Sequence, residues 1–304
     1  LGVPRSRVRL NDSLHLAEAS VLPGACPDGI LQLSGKYKVT EATTIPGPCQ
    51  VTGLGELYLD APITIRGDSS FLGQVSVKAT RQTERLYHAT MDGPCLTITG
   101  SFILHPGARL HFESCRNGQS TSEGSLGGGL RVDADMDLRG GHLRFENCRA
   151  DGDEIITGAG GAIYVGGHFR NKNSTIEACN CSGTTGGTIR ATKMEISGGL
   201  ISINSSLSIL GGGAITAKEQ LVMLGGRVAI TGSESSGTAG AIFTENLKMS
   251  DGSITIQNAT ASNGGGAMTV ISQAMSGGSI TIQHSRAFAD GGSMDVDELD
   301  LSGG

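Results

Sequence analysis

Gly160-Gly161-Ala162-Ile163-Tyr164-Val165, or GGAIYV, is the clearest copy of a pattern that returns along the chain: a glycine pair, a small residue and an aliphatic one. With the aliphatic residue as marker, the copies fall at Leu130, Ile163, Ile189, Ile215, Ile242, Met268 and Met294. The steps are 33, 26, 26, 27, 26 and 26 residues. A period that regular marks a stacked repeat, in which each unit buries its apolar face against its neighbours.

Around each copy the aliphatic residues fall into three groups with the period of two that a half-buried strand requires. The first group contains Leu130/Val132, Ile163/Val165, Ile189/Ala191, Ile215/Ala217, Ile242/Thr244, Met268/Val270 and Met294/Val296. The second contains Met136/Leu138, Met194/Ile196, Leu221/Met223, Leu247/Met249, Met275 and Leu299/Leu301. The third contains Leu110/Phe112, Leu143/Phe145, Ile176, Ile201/Ile203, Val228/Ile230, Ile254/Ile256 and Ile280/Ile282. The expected fold is therefore all-β: a right-handed parallel β-helix, a solenoid with three short strands per coil of about 26 residues and about ten coils. A left-handed hexapeptide helix would repeat near about 18 residues, which this chain does not do. Glycine pairs such as Gly198-Gly199, Gly225-Gly226 and Gly277-Gly278 mark corners that need φ > 0 or a close approach of stacked backbones.

Outward from the repeats, residues 1–27 read as an N-terminal arm or cap, with one helical turn expected from Leu14 to Ala19. Residues 28–94 read as irregular early coils, beginning with ILQLSG, KYKVT, CQVTGLG, ELYLD and PITIRG, and residues 95–304 as the regular array. Asp68 to Gly93 has the weakest pattern and reads as a loop or bulged coil. The chain ends inside a coil with no polar cap, so continuation of the chain or a covering subunit is expected at that end.

Composition agrees with turn-rich β structure: 48 glycines in 304 residues, 4% aromatics and no tryptophan. A net charge of −6 leaves no basic stripe, so nucleic acid and anionic membranes are not expected partners. No apolar run approaches the roughly 18 residues of a spanning helix, and no signal-peptide pattern opens the sequence. Asn11, Asn173, Asn180, Asn204 and Asn258 each open an N-x-S/T triplet, the acceptor of N-glycosylation, which favours a secreted or surface protein. Seven cysteines are an odd number, so at least one has no partner within the chain. Cys26 and Cys49 flank the first strands and are candidates to pair. Cys115, Cys148 and Cys179, in FESCRNG, FENCRADG and IEACNCSG, read as stacked equivalents after the third strand. Ser206, Ser233, Ala259 and Ser285 hold that place later, so either a disulfide or simple packing of small residues fits.

The copies GGAIYV, GGAITA, GAIFTE and GGAMTV, with the preceding FES and FEN turns, resemble the repeats of chlamydial polymorphic outer-membrane proteins and of similar algal and protist proteins. The likeness covers about residues 95–304. It implies a β-helical passenger used for adhesion or surface display. This chain departs from that family in carrying Cys115 and Cys148 at the asparagine place of the turn motif, in replacing its phenylalanine by isoleucine in later coils, and in showing no membrane barrel.

β-Helices also host polysaccharide lyases and glycoside hydrolases, which need paired carboxyl groups or a bound Ca²⁺ with an arginine base. Asp133, Asp135 and Asp137 form one acidic group, and Asp295, Asp297, Glu298 and Asp300 another several coils away. Both read as solvated faces. His15, His88, His105, His111, His142, His168 and His284 show no zinc spacing, and His111 and Arg144 are outward equivalents. No catalytic, metal or cofactor site is assigned. The outward residues Ser202, Ala229, Thr255 and Thr281 form a flat strip suited to packing on a partner. The function expected is a non-enzymatic secreted or surface scaffold acting through other chains, copies of itself included, or through glycans. The alternatives are a carbohydrate-active enzyme on the same fold and a structural subunit of an assembly in an organelle lumen.

Overall fold

Alternating apolar residues bounded by glycine dictate strands, and the computed structural model describes the chain over residues 19–79, 93–118, 125–151, 158–289 and 292–301. Among these residues the only helical element is a short 3-10 turn at Pro27–Gly29. Every strand pairing is parallel, between equivalent segments of successive coils, so the molecule is an all-β, solenoid-like parallel sheet around a single core. The helical turn expected from Leu14 to Ala19 lies almost entirely outside the described residues. Ser20–Val21 is a strand that pairs with Tyr37 and Lys38.

The marker residues are register partners. Leu130, Ile163, Ile189, Ile215, Ile242, Met268 and Met294 stack in one unbroken column, and Leu96 and Ile63 extend it to earlier coils. From Leu96 to Met268 these side chains are almost wholly buried. Each such burial stabilises the fold by about 1.5–3 kcal/mol. The longer first step of 33 residues keeps the register because the extra length falls between the pairs Arg149↔Ser182 and Leu130↔Ile163, outside the ladders. The single core crosses from the early coils to the regular ones through the pairs Ile63↔Leu96 and Val75↔Leu110.

In two places the strand pattern differs from the sequence reading. Ser69–Phe71 and Gln74–Ala79 are paired strands, where a loop or bulged coil was expected. Their apolar residues Phe71, Val75 and Val77 enter the core, and residues 80–92 lie outside the described part. Each regular coil also carries a fourth short ladder after the third strand, through Arg116, Arg149, Ser182, Leu207, Glu234, Thr260 and Arg286. It follows a residue in the left-handed region: Ser114, Asn147, Asn180, Ser205, Gly232, Asn258 and His284 in successive coils all have φ between 53° and 66°. Asparagine tolerates this conformation through local hydrogen bonding, and Asn180 Nδ2 donates to Asn147 Oδ1 at 3.4 Å.

The second ladder contains two buried polar residues. Asn171 stands between Leu138 and Ile196, with only 1% of its surface exposed. Its amide satisfies itself on the next turn, donating to the Ser174 carbonyl at 3.1 Å and accepting from the Ser174 N–H at 2.8 Å. Gln273 takes the place of Leu247 one coil on and is buried as well.

Glycine has a distinct purpose at the corner before the first strand. A Cβ on Gly128, Gly161, Gly187, Gly213 or Gly240 would collide with the carbonyl oxygen of the equivalent glycine one rung on. Close stacking of backbones, rather than φ, excludes any other residue there.

Candidate functional site

The outer surface of the third ladder is a long continuous face of the molecule. One column of outward side chains runs in register through Lys36, Glu56, Ser76, His111, Arg144, Glu177, Ser202, Ala229, Thr255 and Thr281. The inward neighbours of each rung fix its backbone, so the spacing of the column is set by the core. The strip residues Ser202, Ala229, Thr255 and Thr281 are thus consecutive rungs of a longer column, and they are half-buried except Thr281, which is exposed.

The column changes character along its length. From Lys36 to Glu177 it is mostly charged: His111 lies 3.7 Å from Glu146 and Arg144 bonds to Glu146, both reaching one flanking column, in which Lys78 and Glu113 pair at 3.4 Å, and His142 of the other flanking column lies 3.3 Å from Glu177. Burial pushes the His111 imidazole below its ordinary value, against the pull of Glu146. The hydrogen bond from Arg144 holds the Glu146 carboxyl below its ordinary range. An open groove of about 580 Å³ lies at this end, lined by Lys36, Glu56, Arg109, His111, His142 and Arg144 among others. It has the size of a ligand pocket. Sequence reasoning paired His111 with Arg144 but missed Arg109 and His142, which the neighbouring column brings beside them.

The two acidic groups are not brought together. Asp137 and Asp300 share a column but are separated by the rungs of Arg170, Glu195, Val222, Lys248 and Ala274. At the usual strand spacing that is roughly 29 Å, against the limit of about 9.5 Å for a pair of glycosidase carboxyls. Within the first group each aspartate is taken by a cation: Arg131 Nε donates to Asp133 at 2.6 Å, Arg170 Nη1 to Asp135 at 3.1 Å and Arg139 Nε to Asp137 at 2.8 Å. The backbone N–H of His168, with Arg170, holds Asp135 below the usual carboxylate range. Burial raises Asp137, but hydrogen bonds from Arg139 and Lys172 outweigh it and leave it lowered too. A general acid needs the opposite shift. Among the described residues no three His, Cys, Asp or Glu side chains are grouped to hold a metal ion.

Cys26 and Cys49 form a disulfide with Cα atoms 6.0 Å apart. Cys115 is bonded to Cys95, at a Cα distance of 5.7 Å, rather than to a stacked equivalent. The coil that opens at Cys95 closes on itself at Cys115, 20 residues later. Cys148 follows Cys115 in the stack, but the next member is Cys181, not Cys179, as the pairs Glu146↔Cys179 and Arg149↔Ser182 require. Cys179 therefore points outward, beside Glu146 and Asn204. Cys148, Cys179 and Cys181 are free thiols. Of the glycosylation candidates, Asn173, Asn180, Asn204 and Asn258 are exposed, and Asn11 lies outside the described residues.

Fold and face together define the class: an all-β, solenoid-like parallel sheet with a long, regular outer ladder. Comparison with known proteins adds no relative, since no family model, no curated protein and no solved structure matches the chain. No helix among the described residues is long and apolar enough to cross a membrane.

Proposed function

We propose that this chain is a right-handed parallel β-helix of about ten coils that serves as a non-enzymatic structural and interaction scaffold at the cell surface or outside the cell. The observation that carries this reading is the column from Lys36 to Thr281, ten side chains in register on one face. Ten positions correspond to about ten coils. Crossover connections between parallel strands are right-handed in about 98% of cases, which supports that hand. The resemblance of the GGA-aliphatic repeats to polymorphic outer-membrane proteins points the same way, toward adhesion or surface display. Two disulfides and four exposed N-x-S/T asparagines favour an oxidising compartment, outside the cell or within an organelle lumen.

On this reading the small residues Ser202, Ala229, Thr255 and Thr281 pack against another chain, a second copy being the simplest partner. Sedimentation of the wild-type chain and of Thr255→Glu tests it. A buried, unpaired carboxylate at that rung should weaken association by about tenfold or more. Equal association of the two proteins, or a wild type that stays monomeric and captures no partner, counts against the proposal. A glycan-binding reading draws on the groove at the charged end. It is favoured instead if Arg109→Ala, and not Thr255→Glu, abolishes retention on acidic polysaccharide.

A further inference from the structure

We propose that Cys148 and Cys181 are a third disulfide of this protein, joining two successive coils through the core and leaving Cys179 as the single unpaired thiol. The two side chains occupy the same inward slot on consecutive rungs and are 0% and 1% exposed. Rung spacing of about 4.8 Å lies within the Cα range of disulfides. The Cβ atoms must close by roughly 1 Å. Each cysteine directly follows a left-handed residue, Asn147 or Asn180, at the turn rather than in the flat part of the strand, where such a shift is least resisted.

Other pairings are closed off. Cys115, below Cys148, is already bonded to Cys95. Cys95 is followed in its own column by Gly129, because Leu96 pairs with Leu130, so Cys148 has no cysteine facing it within its coil. Cys179 faces outward on the other side of the strand. That leaves Cys181, and the arrangement accounts for the odd number of cysteines, seven in all.

The chemistry is ordinary thiol–disulfide exchange with a small disulfide such as oxidised glutathione, before the coils have closed over the site. The Cys181 thiolate attacks one sulfur of the oxidant, forming a mixed disulfide and releasing one molecule of thiol. The Cys148 sulfur, losing its proton, then attacks Cys181 Sγ and expels the second. Two protein S–H bonds are lost, one S–S bond forms, and the oxidant leaves as two thiols. The two thiols can exchange these roles, since the reaction runs before burial acts on either of them.

The test is disulfide mapping of the chain folded in a glutathione redox buffer, denatured without reductant and alkylated. One alkylated thiol per chain is expected, on Cys179, with the Cys148 peptide linked to the one holding Cys181. Because Cys179 and Cys181 share a peptide, the Cys179→Ser variant settles the assignment: it should keep the link and take up no alkylating reagent. Three alkylated thiols beside intact Cys26–Cys49 and Cys95–Cys115 bonds, or a link from Cys148 to Cys179 or Cys115, would overturn the proposal. The double variant Cys148→Ser, Cys181→Ser is fold-compatible, since Ser206 and Ser233 fill the same slot on later rungs. It should melt several degrees below the oxidised wild type, and an unchanged melting temperature would also refute the bond.

Discussion

The rings of Phe112 and Phe145, one rung apart in the third ladder, are stacked with centroids 4.9 Å apart and planes 2° from parallel. Both are wholly buried. The next rung holds Ala178, so the column narrows abruptly there. Phe145→Ala should cost about 3–5 kcal/mol in denaturant unfolding, the usual result of emptying a packed aromatic site. The double variant with Phe112→Ala should lose less than the sum of the singles, by about 0.5–1.5 kcal/mol, because the ring contact is counted twice. Strict additivity would mean that the stacking contributes nothing.

The glycine column makes a sharper prediction. Gly213→Ala places a methyl group against the carbonyl oxygen of Gly240, a backbone atom that cannot move without parting two rungs. Soluble, folded protein should be lost or sharply reduced, as read by circular dichroism and proteolysis. Gly24→Ala is the control, since nothing lies within 4 Å of its added carbon, and it should fold as the wild type does.

These two cases show where the sequence was transparent. Aliphatic residues at period two, such as Ile215/Ala217 and Val228/Ile230, report the ladder directly, because parallel stacking puts like on like. The cysteine stack was misread where that rule lapses. Ala178 replaces the bulky Phe145, so sequence pattern sets IEAC beside FENC, while the structure aligns ACNC with it. The asparagine shared by Asn147 and Asn180 was the usable signal, since the left-handed turn needs it there. Cys95 and the groove residues Arg109 and His142 were hidden for another reason. Their neighbours are set by the closure of the coil and by adjacent columns, which periodicity along the chain does not encode.

Stability should fall in two steps as pH drops. His111 has a folded pKa below its ordinary 6.5, owing first to burial, with Arg144 and Lys78 acting in the same sense and Glu146 and Glu113 opposing. The unfolded chain therefore binds the proton more readily, and stability is complete above about pH 6.5 and declines below it. Asp135, Asp137 and Glu146, all held low in the fold, act later: their stabilisation is present above the ordinary carboxylate range and is lost as pH falls through their folded values. His111→Gln should remove the upper step and leave the lower one, measured as melting temperature between pH 7.5 and 3. Persistence of the upper step would assign it to another group.

The two disulfides differ in exposure, and that difference should set their order of reduction. Cys95 and Cys115 are both 0% exposed, whereas Cys26 is half-buried beside the first strands. Attack by a thiolate requires access to sulfur. A low concentration of reductant on the native protein should therefore open Cys26–Cys49 first, with Cys95–Cys115 surviving until the coils around it open. Timed alkylation with peptide mapping gives the order, and simultaneous or reversed loss would contradict it. Each bond closes a loop of about 20 residues, so removing either by paired alanine substitution should lower stability by roughly 3 kcal/mol. The Cys95/Cys115 variant should show the larger loss, because two alanines at these wholly buried positions also leave an unfilled volume in the core.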